Sequence, residues 1–240
     1  MMTAREHHDD DAAAHVAAIR HGLSLYHAQG ESFELRFLDV PNGKWKAKTV
    51  AGYFNDLDLA AKVAAQYDGR GQCYVTMNAL KPGIESRYFN RVEENPKITT
   101  GDNEIARRRR LLIDLDARRP SGISADEAQH EAAKAKARVI FQALRDDDGW
   151  DDPLAVIDSG NGIHILYALD LPNDDAARDT VKHTLEKLDR RFSDDVVKVD
   201  LTVFNAARIV KIPGTLAMKG DPTPERPHRR SRILWQPEGS

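Results

Sequence analysis

Six residues, Leu111-Leu112-Ile113-Asp114-Leu115-Asp116, constrain this chain more than any others, because an apolar run ends there in two carboxylates one residue apart. An apolar run of this kind reads as a buried strand. On a strand, residues i and i+2 face the same way, so Asp114 and Asp116 project from one face at the strand's end, about 6–7 Å apart. Hard anionic oxygens at that spacing suit Mg²⁺ or Mn²⁺, which prefer carboxylate and water ligands. The plainer reading of an isolated Asp-x-Asp is two solvated carboxylates where a strand becomes a loop. The rest of the chain decides between the two.

At 240 residues the chain is long enough for one large domain or two small lobes sharing a core. With 41% hydrophobic and 30% charged residues, the composition is that of a soluble globular protein, not a disordered or membrane one. The single cysteine, Cys73, excludes a disulfide framework and a Cys-based zinc site, and it fits a reducing, cytoplasmic location. The acidic stretch from Glu6 to Asp11 is unlike a signal peptide, and no apolar run approaches the ~20 residues of a membrane span, so no membrane partner is expected. A net charge of −3 does not by itself announce nucleic acid. Its distribution says more. From Val203 to Ser240, seven Lys or Arg face three acids, and Arg107, Arg108, Arg109 and Arg110 form a basic run directly before the Asp-x-Asp strand. Cations converging on a carboxylate-held metal suit a polyphosphate or a nucleic-acid backbone. A solvated helix face is the plain alternative for the arginine run, which begins in a segment that reads as helical.

Helices are expected over 12–25, 56–66, 124–144 and 173–192, the third from a Ser124…Glu127 capping box and the fourth capped by Asn173. Strands are expected at 33–38, 45–54, 72–77, 111–116, 155–157, 163–168, 196–199, 208–212 and 232–235. Glu34 and Arg36 alternate on one face of the first, which reads as half-buried. Residues 81–101 look irregular, and Asp102 is placed to cap a short helix. Helices interleaved with hairpin strands indicate an α+β or mixed α/β fold, not a doubly wound one. The candidate boundary lies at 95–103, dividing an N-terminal α/β lobe (1–100) from a metal-bearing lobe (101–240).

Two further elements accompany the aspartates. In Ser159-Gly160-Asn161-Gly162-Ile163-His164 the glycines permit a turn whose amides can face an anion, and His164 is placed to donate to a phosphate oxygen. Alone, this is a weak pattern, and a lone strand histidine is usually structural. The alternating Val197-Lys-Val-Asp200 supplies a third carboxylate, the number used by two-metal phosphoryl-transfer enzymes. Arg208 and Lys211 follow, on opposite faces of a regular strand, so a bulge or a single phosphate contact is expected there.

Together these residues carry a resemblance. Leu112–Asp116, Asp158–Tyr167, and Val199-Asp200 with Asn205–Thr215 resemble, in order, spacing and flanks, the three motifs of the archaeo-eukaryotic primase superfamily. The flanks include Lys219-Gly220 and the segment from Arg226 to Ser231. The resemblance is to the primase-polymerases of phages, plasmids and mobile or CRISPR-associated loci, and it covers the chain from about Phe33 to Leu234. It implies a two-lobed catalytic core, an N-terminal α/β module and an RRM-like module with the site between them. It also implies that Asp114, Asp116 and Asp200 hold two Mg²⁺ or Mn²⁺ ions and that His164 contacts the incoming nucleotide's phosphates. The nucleotide-binding set would comprise Ser159, Gly160, Asn161, Gly162, His164, Arg208, Lys211, His228 and Arg229, with Arg107–Arg110 on DNA.

The family's second motif is often Ser-x-His, and here Gly162 stands two before His164, so Ser159 or backbone amides would substitute. Many relatives carry a zinc module and a C-terminal accessory or helicase domain. With one cysteine this chain has no such zinc module, and ending at Ser240 it reads as a stand-alone core or a truncated piece. The implied activity is template-directed nucleotide transfer, with single-stranded DNA template and primer, an NTP or dNTP, and helicase, replication or CRISPR proteins as partners. The alternatives are a metal-dependent nuclease and a catalytically silent replication-initiator DNA-binding domain.

Overall fold

The computed structural model describes residues 4–43 and 47–238. The fold is mixed α/β, with antiparallel sheets and four α-helices among the described residues. After helix α1 (Ala4–Ser24) come strands β1 (Phe33–Val40) and β2 (Lys48–Phe54), helix α2 (Leu57–Tyr67), and strands β3 (Gln72–Thr76) and β4 (Arg91–Glu94). The expected strand start at Trp45 lies outside the described residues. Asp56 caps α2, accepting from the amides of Asp58 and Leu59 at 2.9 and 3.1 Å. The segment expected to be irregular holds β4 and a single 3₁₀ turn, Ile84–Arg87.

The second half runs β5 (Arg107–Ala117), α3 (Glu127–Gln142), β6 (Ala155–Asp158), β7 (Gly162–Pro172), α4 (Asp175–Phe192) and β8 (Val197–Val199). Short strands β9 (Ile209–Lys211), β10 (Leu216–Ala217), β11 (Arg229–Arg230) and β12 (Arg232–Trp235) complete it. Its sheet has the order β12-β6-β7-β5-β8. Without β12 this is a β-α-β-β-α-β unit with its first and third strands, β5 and β7, at the centre. Helices α3 and α4 cover one face. The other sheet, β4-β2-β1-β3-β9, takes its last strand from the C-terminal half, so the chain ties the two sheets together. One hydrophobic cluster runs from Ile19 and Phe33 through Leu112 and Ile165 to Ile212.

Four local expectations are corrected. Arg107–Arg110 are strand, not helix, because β7 pairs with β5 back to Arg107. The α3 cap is Asp126 with Gln129, each side chain bonding the other's amide, while Ser124 Oγ donates to the Lys219 carbonyl instead. Asp174, not Asn173, caps α4; the Asn173 amide donates to the carbonyls of Asp102 and Ile105. Asp102 begins a 3₁₀ turn whose cap position is Gly101, and its carboxylate accepts from the Ala207 amide. Strand β1 buries Phe33, Leu35 and Phe37 on one face and leaves Arg36 and Leu38 half-buried on the other. Glu34 is fully enclosed, held by Nε and Nη2 of the Arg36 guanidinium and by the Thr100 amide.

Candidate active site

Strand β5 is buried between β7 and β8, and its register decides what surrounds the aspartates. Asp114 lies opposite His164 and Asp116 opposite Gly162 on β7. On the other side, the Asp200 amide donates to the Asp114 carbonyl at 2.8 Å, which brings the third carboxylate just past β8 alongside the first. Cross-strand neighbours of this kind have Cβ atoms about 4.5–5.5 Å apart. All three aspartates and His164 line one cavity of about 260 Å³, and Tyr74, Arg208 and Lys211 close it from the β3–β9 edge of the other sheet.

The charge balance there is strained. Burial, then repulsion from Asp116 and Asp200, pushes the Asp114 carboxyl well above the usual carboxylate range, only partly offset by Arg208 and Lys219. Asp116 accepts from the buried Arg119 guanidinium at 3.2 Å, and Asp200 from the Thr202 amide at 2.8 Å. Three hard carboxylate oxygens whose mutual repulsion raises a pKa are a donor set that a divalent cation fits, and Mg²⁺ or Mn²⁺ match it chemically. Two buried nitrogens at the cavity, His164 Nδ1 and Arg208 Nε, have no hydrogen-bond partner. Burial pushes His164 down to about 4, so it is neutral at pH 7, and its Nε2 lies 3.7 Å from Asp114 Oδ1, too far for a hydrogen bond.

The glycines of the 158–162 turn are required by contact. Gly160 has φ +91°, and a Cβ there would meet Ala217 Cβ at 2.5 Å and the Arg229 carbonyl at 2.8 Å. A Cβ on Gly162 would meet the Leu115 carbonyl at 2.3 Å and the Asp116 carboxylate at 2.8 Å. A serine at position 162, as in Ser-x-His, would therefore displace the second aspartate. Three of the turn's amides are engaged within the turn itself. Gly160 N donates to Asp158 Oδ1, Gly162 N to Ser159 Oγ, and Ser159 N to the Gly162 carbonyl. Ser159 and Asn161 still line the cavity, though the Asn161 side-chain Oδ1 accepts from the Ala125 amide.

Arg208 precedes β9, so Arg208 and Lys211 both reach the cavity without a bulge. The Arg208 guanidinium donates to the Thr202 carbonyl. Lys211, pushed down to about 8 by burial, donates to the Leu216 carbonyl and lies over the Tyr74 ring. His228 and Arg229 lie elsewhere. His228 Nε2 is 2.8 Å from the Gly220 carbonyl oxygen, and Arg229 reaches the Ala125 carbonyl and Glu127 on α3. The arginine run also points away from the cavity. Arg107 pairs with Asp170 and Arg109 with Glu31, while Arg108 donates to the Phe204 carbonyl and Arg110 to those of Leu25 and Tyr26.

Three cavity residues escape sequence reading. Arg119, three past Asp116, looks like loop charge until its guanidinium is seen on that carboxylate. Gln72 and Tyr74 alternate on a strand whose partner, β9, lies more than 130 residues on, and only that pairing shows which face they present.

No protein-family model matches the chain, and no curated protein matches it by sequence. Among solved structures it is similar to the crystal structure of primase RepB′, at 11% identity with a TM-score of 0.42 over 92% of this chain. The chain spans about half, 56%, of that structure's length. A superposition that loose does not by itself assign the chain to that fold.

Proposed function

We propose that the chain is a template-directed nucleotidyltransferase of the primase-polymerase kind, adding NTPs or dNTPs to a primer or initiating nucleotide. One observation carries the reading: Asp114, Asp116 and Asp200 meet Arg208, Lys219 and Arg119 in a single cavity between the two sheets. The three ordered motifs and the central placement of β5 and β7 in a β-α-β-β-α-β sheet support it, since that is the topology an RRM-like catalytic module would have.

In this reading the three aspartates hold two divalent ions. When bound, such ions supply Lewis acidity toward the attacking hydroxyl and the leaving pyrophosphate. Arg208 and Lys219 stand where triphosphate charge would lie, and the unspent Arg208 Nε is a donor for it. His164, neutral and next to Asp114, offers one N–H to a phosphate oxygen without adding a charge that would compete for the carboxylates. Arg119 holds Asp116 in place through its carboxylate. The nuclease alternative uses the same carboxylates but needs no polyphosphate contacts, and the cations at the cavity favour the triphosphate.

Incorporation of radiolabelled nucleotide on single-stranded template, with and without primer, in Mg²⁺ or Mn²⁺, tests the reading. Primer extension or dinucleotide synthesis is the expected result. Template degradation without incorporation would replace this assignment with the nuclease.

A further inference from the structure

The basic residues that miss the aspartate cavity gather on the far side of the same turn. Asp158 lines a cavity of about 420 Å³ with Lys134, Arg229, Arg230 and Arg232, while its neighbour Ser159 lines the aspartate cavity. The second cavity shares Lys134 and Arg232 with a neighbouring one of about 560 Å³, which adds Arg138, Phe141 and Trp235. The two form one trough along α3. Lys134, Arg138 and Phe141 follow one another at helical spacing on its wall. The opposite wall is β12, where a register irregularity between Ile233 and Trp235 lets Arg232, Leu234 and Trp235 all line the trough. Phe141 and Trp235, both half-buried, have ring centroids 5.3 Å apart at 46°, and the Arg145 guanidinium lies over the Phe141 ring at 5.1 Å.

A cation site is the wrong reading of this place. Glu127, His130 and Glu131 bring donors within 4.8 Å of one another, but each is already engaged. Glu127 pairs with Arg229, Glu131 with Lys134, and His130 Nε2 with Asp158 at 2.9 Å. Five cations line the trough against Glu127, Glu131 and the enclosed Asp158. Arg232, with its side chain 65% exposed and 3.7 Å from Asp158, can turn to an incoming anion, and Arg138 is exposed beside it, while Arg230 is held by Asp68 and the Gly214 carbonyl. The buried His130 Nδ1 at the trough has no partner.

We propose that this α3–β12 trough binds single-stranded nucleic acid, its cations on the backbone and unpaired bases on Phe141 and Trp235, and leads the strand over the 158–162 turn to the aspartate cavity. A basic track with aromatic platforms is what sequence-independent single-strand binding needs. From His130 to Phe141 the wall runs about 16 Å, room for several nucleotides. The identity of the strand as template rests on the polymerase reading above; the trough's binding does not.

The experiment measures anisotropy of labelled (dT)₁₂ against salt, without metal or nucleotide, for the whole chain and its variants. R138Q/R232Q, both solvent-facing changes, should weaken binding about tenfold at moderate salt and lower the log–log salt slope by about 1.4, or 0.7 per lost phosphate contact. Trp235→Leu should weaken it about tenfold at unchanged slope, as loss of a stacking platform does. D114N/D116N should bind as wild type and incorporate nothing. Wild-type affinity and slope in both trough variants would overturn the proposal, as would loss of nucleoside triphosphate binding with oligonucleotide binding unchanged. Trough-dependent binding without any incorporation by the wild type would leave the trough standing and remove the polymerase reading.

Discussion

Strand β5 carries four arginines at one end and two aspartates at the other, and the two ends handle their charge in opposite ways. Every arginine of the run has an intramolecular partner: carboxylates for Arg107 and Arg109, backbone carbonyls for Arg108 and Arg110. The aspartates instead crowd a third carboxylate around a cavity, where their mutual repulsion and burial push one toward protonation. Within this one strand, the run of like charge that faces a cavity is the one whose charges repel one another.

The strongest attack on this contrast is Asp114→Asn. Removing one carboxylate should cut nucleotide incorporation about a hundredfold or more, since metal-assisted charge stabilisation contributes several kcal/mol. In metal-free buffer the same change should raise the melting temperature, because it removes a buried, repelled charge. A fall in both would mean that Asp114 is a structural carboxylate.

At the other end, Arg108→Ala should cost about 1–3 kcal/mol by leaving the Phe204 carbonyl without its donor in a buried setting. Urea unfolding measures this, and (dT)₁₂ affinity of the folded variant should not change. A DNA defect at normal stability would instead place Arg108 on DNA.

A pH titration of stability sharpens the contrast through sign. His27, stacked on Phe33 and 2.6 Å from the Thr76 carbonyl oxygen, is pushed down to about 3 by burial. Its unfolded form therefore takes up a proton first, and stability falls as pH drops below 6.5. The limiting slope is about 1.4 kcal/mol per pH unit. Asp114 has the opposite sign: its folded pKa is raised, so its cost is present at neutral pH and relieved on acidification. H27Q should flatten the acid limb and D114N should steepen it.

The smallest expected effect is at His164. As a neutral donor it contributes about 0.5–1.5 kcal/mol, so His164→Ala should lower kcat/KM for nucleotide roughly three- to tenfold, with partial recovery in His164→Gln. No change would make it a core histidine.

The four helices, most strands and the shared face of Asp114 and Asp116 were legible in the sequence, because side-chain periodicity is local backbone geometry, while the strand character of Arg107–Arg110 and of Arg91–Glu94 was not. The α+β class and the order of the helices were legible too. Cap frames were not: Ser124 and Asp126 both fit a capping pattern, and the choice fell to a Lys219 carbonyl 95 residues away. The destinations of the cations were equally hidden. Arg108 meets Phe204, Arg229 turns to α3 instead of the aspartates, and Lys211 joins Tyr74 only because β9 crosses into the first sheet. Local pattern decides which way a side chain faces. Only the tertiary structure decides what it meets there, because the partner comes from a distant stretch of chain.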